Sequence, residues 1–269
     1  MPELPDAETY KRYFDATSLY QPIREVDVNH DYVLGSEDGN ELSADALADA
    51  LHGQEFSTGR RHGKYLLSTL SDGRSFIMHF GMSGSLNYFK SDDDISKFDR
   101  VLFTFNNGYH LAFHCPRVLG NVYLYDSDEA FLSHKNIGPD VLRLGWEGFN
   151  EILAARRGMI KPTLMDQHIM AGIGNIYSDE ILFQTRLHPE TPANALDEAK
   201  RRELFDATQR VLNAAIDCDA NPTKLPDDYL LPHRIDDEVC PSCGEPLTSK
   251  EVGGRTAYFC EREQERLEP

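Results

Sequence analysis

Pro2 and Glu3 set a prospective secondary amine directly beside a carboxylate. A proline in second place permits removal of Met1, which would free the Pro2 nitrogen as an α-amine. Such amines titrate near about 7.7–8.0, against about 10.4 for a lysine side chain, so the nitrogen would be substantially neutral and nucleophilic near pH 7. Attack on a carbon such as a sugar C1′ would give an iminium, which is an electron sink. By itself a proline at position 2 is also an ordinary way for a chain to begin, so the surrounding sequence has to decide between chemistry and coincidence.

The second group with chemistry is a cysteine cluster. Cys240 and Cys243 form a Cys-x-x-Cys knuckle, and Cys260 follows after sixteen residues that include Gly244, Gly253 and Gly254. Two such knuckles flanking a hairpin make a tetrahedral structural zinc site. Here the position of the fourth cysteine holds Glu263. Either Cys240, Cys243, Cys260 and Glu263 form a site of three sulfurs and one oxygen, or the hairpin folds without metal. Three of the five cysteines crowd into the last thirty residues, which reads as metal binding in a reducing, cytoplasmic setting rather than as a disulfide framework.

Length and composition bound the rest. A chain of 269 residues with 40% hydrophobic content can build one large or two modest cores. It has no apolar run long enough for a membrane span and no secretory leader pattern, so no membrane partner is expected. The net charge of −18 argues against a polyanion as partner. Local fields decide that question, however, and runs such as Asp92-Asp93-Asp94 and Asp236-Asp237-Glu238 can be solvated faces remote from a basic groove. A surface acidic throughout is also the pattern of salt-adapted proteins.

Residues 1–20 read as a helix. From 22 to 130 short β runs follow one another: Ile23 to Val28, Lys64 to Leu70, Ser75 to Phe80, Val101 to Phe105, His110 to Phe113 and Val122 to Tyr125. Asp72-Gly73 and Asn107-Gly108 are hairpin signals between them, and Ser43 to Leu51 reads as a helix capped by Ser43. Beyond 131 the periodicity is helical over Trp146 to Arg156, Lys161 to Met165, Ile176 to Gln184 and Leu196 to Asp217. The expected architecture is α+β in two domains. Residues 1–130 form an N-terminal β-sandwich with flanking helices, 131–220 a helical domain, and 221–269 a proline-rich linker with a zinc-finger-like hairpin.

Taken in order, the segments resemble the formamidopyrimidine-DNA glycosylase and endonuclease VIII family of base-excision repair enzymes. They run from Pro2-Glu3-Leu4-Pro5 with Glu8-Thr9 through Arg60-Arg61-His62-Gly63-Lys64-Tyr65-Leu66 to His79-Phe80-Gly81-Met82-Ser83-Gly84. Pro116-Arg117-Val118-Leu119-Gly120, Ile137-Gly138-Pro139-Asp140 and Ile160-Lys161-Pro162 come next. Ala171-Gly172-Ile173-Gly174-Asn175-Ile176-Tyr177, leading to His188-Pro189, is similar to the turn of a helix-two-turn-helix. Gly254-Arg255-Thr256-Ala257-Tyr258-Phe259-Cys260 closes the series.

The resemblance implies a bifunctional glycosylase and abasic-site lyase acting on oxidised bases in duplex DNA, working as a monomer in the cytoplasm at the nucleoid. In that frame Pro2 attacks C1′, Glu3 shuttles protons to the opening sugar, and Lys64 holds phosphates near the lesion. The iminium then drives β,δ-elimination. The damaged base leaves the stack, and Met82, Arg117 and Leu119 fill the gap and meet the orphaned base. Asp6 belongs to the DNA-facing set. Asn175 offers side-chain and backbone donors to phosphate at a helix start, His79 assists, and Arg255 at the hairpin tip is a further phosphate ligand. Zinc is structural, and no catalytic cofactor is implied.

Four departures mark this chain. Asp6 stands where the family usually has Glu, Val118 replaces a second Arg, and Leu119 replaces a common aromatic wedge. The stretch from Asp219 to Val239 is short and rich in proline, which leaves the preferred lesion open between oxidised purines and pyrimidines. From Asp236 onward there are nine acidic and four basic residues, an unusual balance for a DNA-facing hairpin. A non-catalytic damaged-DNA-binding protein on the same scaffold is the alternative reading, and a zinc-stabilised interaction protein is a third.

Overall fold

The computed structural model describes residues 2–35 and 42–269; the removal of Met1 lies outside them. The chain divides into two compact units, 6–136 and 137–269, with Pro2 grouped with the first and Glu3–Pro5 with the second.

The N-terminal unit holds helix α1 (Leu4–Thr17, from Asp6 onward), β1 (Ile23–Val28), α2 (Ala44–Leu51), β2 (Phe56–His62), β3 (Tyr65–Leu70), β4 (Ser75–His79), β5 (Ser85–Phe89), β6 (Asp99–Phe105), β7 (His110–His114), β8 (Asn121–Tyr125) and α3 (Asp128–His134). The strands form two antiparallel sheets of four, in the orders β1-β6-β7-β5 and β2-β3-β4-β8. Phe14, Phe56, Phe76 and Phe103 interlock within the core, and each is fully buried. Burying a ring of that size contributes roughly 1.5–3 kcal/mol. Both hairpin signals join adjacent strands, β3 to β4 and β6 to β7, and Ser43 caps α2 by accepting the Ala46 N–H. Two strands and a helix were not expected. β2 reads Phe-Ser-Thr-Gly-Arg-Arg-His, too polar to show a buried face. Its charges are matched instead by tertiary partners: Arg60 pairs with Asp128 at 2.7 Å and Arg61 with Glu8 at 3.0 Å.

The second unit contains α4 (Trp146–Ala154), α5 (Ile160–Met165), α6 (Asn175–Gln184), α7 (Glu198–Asp217) and the hairpin β9 (Thr248–Val252) and β10 (Arg255–Phe259). α7 begins at Glu198 because Asp197 caps it, accepting the Lys200 N–H at 2.7 Å. Phe149, Leu153, Ile160, Leu164, Ile181, Leu204 and Val211 form the core with Leu4. α6 is buried along its whole middle, Tyr177 to Phe183, including Ser178, Asp179 and Glu180. Among the described residues no helix is long and apolar enough to cross a membrane.

The linker after α7 is held by one of those buried charges. The Glu180 carboxylate accepts the Leu231 N–H at 2.8 Å and the Gln184 side-chain amide at 2.9 Å. Burial pushes its carboxyl up to about 7 from an ordinary 4.5. A carboxyl raised in the folded state favours folding while protonated. Its contribution is therefore complete below about pH 4.5 and is lost as pH rises through about 7, a change on the order of 3 kcal/mol. Thermal melts over that window are expected to show this loss, and Glu180→Gln to flatten it.

Candidate active site

In the N-terminal unit the sequence-predicted residues collect at one end of the sheet β2-β3-β4-β8. Lys64 lies in the two-residue turn between β2 and β3, where His62 pairs with Tyr65. Gly63 takes φ +55° there, as primed hairpin turns require. The Lys64 side chain is largely buried, at 7% relative exposure. The turn is braced from inside: Arg61 donates to Glu8 on α1 and to the Gly63 carbonyl at 3.2 Å. Arg60 and Arg61 are thus structural ion-pair partners, and Lys64 is the member of the basic run placed in the turn itself.

Tyr65 is opposite His79 on β4, and His79 is opposite Asn121 on β8. Burial, with the Lys64 charge second, pulls the His79 imidazole down to about 4. His79 is therefore neutral at physiological pH and cannot act as a cationic phosphate ligand. The Gly81 N–H points at its Nδ1 at 3.4 Å, which leaves Nε2–H as a neutral donor. The loop after β4 packs against the loop before β8. A Cβ added to Gly81 would lie 2.5 Å from the Gly120 nitrogen, so Met82 and the Arg117–Leu119 segment are neighbours. Met82 and Leu119 are 44% and 49% exposed, so both are surface side chains and neither belongs to the core. Between Arg117 and Leu119, Val118 has φ +52°, a left-handed conformation that a β-branched residue adopts only at a cost. Asp6 occupies the first turn of α1, where a carboxylate complements the helix dipole, and it adds to burial in pushing the Tyr10 phenol up to about 12.

In the second unit Glu3 is 1% exposed and seated on the start of α6. Its carboxylate accepts the backbone N–H groups of Gly174 and Ile176, each at 2.8 Å, and of Tyr177 at 3.3 Å. The expectation for this turn was that its backbone N–H groups would meet phosphate; three of them are occupied by Glu3 instead. Gly174 is required by that approach, since an added Cβ would sit 2.5 Å from Glu3 Oε1. Asn175, the first residue of α6, has a buried Oδ1 without a partner. Its carbonyl accepts from the Lys161 ammonium at 3.1 Å. Lys161 is fully buried and pairs with Asp179. Burial draws it below the ordinary lysine range, with Asp179 opposing. Arg255 opens β10 beside the Gly253-Gly254 turn and is exposed.

The thiols of Cys240, Cys243 and Cys260 gather with all three sulfurs within 4.8 Å of one another, and Cys243 and Cys260 are 3.6 Å apart. Sulfurs about 2.3 Å from a central tetrahedral ion have about this spacing, so the three residues fit a structural metal. Their surroundings are apolar, with Phe183, Leu230 and Leu247 packed around them. Glu263 is not in the group: its carboxylate faces Arg186 at 3.9 Å. A glutamate side chain is longer than a cysteine's, so from the same backbone position it reaches past the sulfur site to the cation beyond.

Two family models match the chain: the formamidopyrimidine-DNA glycosylase N-terminal domain over residues 1–122 and the formamidopyrimidine-DNA glycosylase H2TH domain over residues 137–227. The chain belongs to the formamidopyrimidine-DNA glycosylase family. It is 32% identical to the formamidopyrimidine-DNA glycosylase of Pelotomaculum thermopropionicum, covering 97% of this chain and 98% of that protein. It is 33% identical to that of Desulfitobacterium hafniense, with the same coverage. Among solved structures it is similar to Lactococcus lactis Fpg bound to a FAPY-dG-containing DNA, with TM-score 0.87, 26% identity, and 98% of this chain and 100% of that one covered. It is equally similar to MutM in complex with carbocyclic 8-oxo-G-containing DNA, with TM-score 0.87, 27% identity and the same coverage.

Within this glycosylase family member, sequence reasoning placed Glu8, Arg61, Lys161 and Gly174 in the shared motifs but gave them no part in holding the others in place. Glu8 and Arg61 brace the Lys64 turn, and Gly174 makes room for Glu3. Buried Lys161 and Asp179 form a charge cluster with the half-buried Arg234. The one available signal for that cluster was the presence of charges inside otherwise apolar helical stretches.

Proposed function

We propose that the protein is a bifunctional DNA glycosylase and abasic-site lyase that removes oxidised bases from duplex DNA. The observation that carries this reading is the seat of Glu3. A carboxylate one residue from the prospective nucleophile is buried and fixed by three backbone donors, a costly arrangement for a group with only a structural task.

The chemistry follows from the residues. After loss of Met1 the Pro2 nitrogen attacks C1′ as the bond from C1′ to the base breaks, and the base leaves with a proton. Glu3 takes the proton that the Pro2 amine sheds on attack and passes it to the ring oxygen as the sugar opens and the iminium forms, while water supplies the proton that leaves with the base. Loss of a C2′ proton expels the 3′-phosphate, and a second elimination expels the 5′-phosphate. Lys64 and neutral His79 hold phosphate from the N-terminal unit, while Asn175 and Arg255 do so from the second. Met82, Leu119 and Arg117 are exposed side chains suited to fill the stack left by the extruded nucleotide. Incubation with a duplex carrying an abasic site or 5-hydroxyuracil, in the presence of borohydride, is expected to trap a covalent adduct. No adduct on either duplex would favour a damaged-DNA-binding protein without catalysis.

Zinc is the metal that three closely spaced thiolates in an apolar setting suit best. Bound there, it would fix the fold of the hairpin and take no part in the reaction. Glu263 would complete the set only by turning from Arg186. Glu263→Ala is therefore expected to retain one zinc per chain but to release it to a chelator about tenfold faster. Glu263→Cys should release it more slowly than the wild type, and Cys260→Ser should lose it. Metal analysis and chelator-release kinetics check all three.

A further inference from the structure

The hairpin of β9 and β10 is a two-stranded sheet, so one edge of β10 has no strand beside it. In the observed register Arg255, Ala257 and Phe259 face Val252, Lys250 and Thr248, and the two-residue turn makes these the hydrogen-bonded pairs. The carbonyl of Thr256 and the N–H of Tyr258 therefore point outward from the open edge. Such groups need partners when covered.

Two side chains supply them. Asp179 Oδ2, on α6, accepts the Tyr258 N–H at 3.1 Å. Arg234, from the linker, donates to the Thr256 carbonyl at 3.3 Å and pairs with the same Asp179 oxygen at 2.8 Å. Its guanidinium lies 4.8 Å over the Tyr258 ring, and the Tyr258 hydroxyl donates to Asp236 at 2.9 Å. A carboxylate accepting an N–H beside a guanidinium donating to a C=O reproduces what a third strand would offer. The other oxygen of Asp179 holds Lys161, which holds the Asn175 carbonyl. One buried carboxylate thus ties the backbone of Asn175 to the strand that begins with Arg255.

We infer that Arg234 is a positioning residue: with Asp179 it clamps the open edge of β10 and so holds Arg255 where it meets the DNA backbone. The inference rests on the proposed function for Arg255. It assigns to the linker a task apart from covering a lesion, and it gives Arg234 no contact with DNA.

Asp179 is a poor test position, because its loss would strand the buried Lys161 ammonium. Arg234→Gln leaves that pair intact. The experiment measures binding of a duplex with a stable abasic analogue across a salt series, for the wild type, Arg234→Gln, Arg234→Lys, Arg255→Ala and Arg234→Gln/Arg255→Ala. Hydrogen exchange at Tyr258 is followed alongside. Arg234→Gln is expected to weaken binding about tenfold, to lower the salt slope by about one and to speed exchange at Tyr258, with zinc content unchanged. Arg234→Lys keeps the charge but loses the forked geometry and should resemble Gln. The double variant should bind no worse than Arg255→Ala alone. Additive losses, full binding by Arg234→Lys, or unchanged exchange at Tyr258 would each overturn the inference. If Arg255→Ala binds like the wild type while Arg234→Gln still speeds exchange, the clamp stands as geometry and the DNA role of Arg255 is what fails, taking the positioning role with it.

Discussion

With Pro2 replaced by glycine, borohydride trapping on an abasic-site duplex is expected to slow by roughly 10³-fold. Glycine keeps a terminal amine of similar basicity, so the loss isolates what the proline ring adds. That ring makes the amine secondary, so that attack leads directly to a charged iminium, and it fixes the backbone next to the nitrogen. The following residue, Glu3, is itself fixed by three hydrogen bonds. A rigid residue before an immobile one leaves the nucleophile little freedom, whereas glycine restores it. A variant that retains Met1 should give no adduct, because the Pro2 nitrogen is then an amide. Trapping at the wild-type rate by Pro2→Gly would show that the ring adds nothing, whereas trapping by the variant that retains Met1 would assign the attack to a different amine, with Lys64→Met the next variant to trap.

The second large effect concerns the carboxylate. Glu3→Gln is expected to slow the eliminations by about 10²–10⁴-fold, the usual range for removing a positioned acid–base group. It should also destabilise the fold by about 1–3 kcal/mol, since an amide turns an NH₂ toward donors that need an acceptor. Gly174→Ala separates the two effects. Its backbone, φ −128° and ψ −156°, suits any residue, so the alanine methyl acts only through its clash with the Glu3 carboxylate. Glu3 keeps its chemistry and loses its place, and a displacement of this kind costs about 10² in rate. Combining the two substitutions should cost little more than Glu3→Gln alone. Single-turnover kinetics with thermal melts measure each part.

Much of the architecture was legible in the sequence because it rests on local signals. Asp72-Gly73 and Asn107-Gly108 specify turns, Ser43 specifies a helix start, and short, nearly continuous apolar runs specify β4, β6 and β7. What escaped was set by distant partners. β2 is a strand because Glu8 and Asp128 match its arginines and because β3 supplies its ladder. α6 carries buried acids that blur its period, and they are satisfied by Lys161, Arg234 and the linker backbone. At the candidate site the residues proposed to react were picked out by the ordered motifs they share with a known family. Their supports were not, because a serine-aspartate-glutamate run inside a helix looks like solvent-facing surface until the chain around it is folded. The neutral state of His79 depends on burial next to Lys64, which no local pattern encodes.

The contact between Glu3 and the start of α6 joins residues 171 to 174 positions apart in sequence. At about 5–20 residues per second of synthesis, roughly 10–35 s pass between the emergence of one partner and of the other. During that interval Glu3 has nothing to sit on, and the N-terminus is a free end. In the proposed function, trimming of Met1 would therefore meet an open end, early, before Glu3 is seated on α6. In that reading, the speed of elongation across the first 180 residues sets how long Pro2 stays open to such trimming.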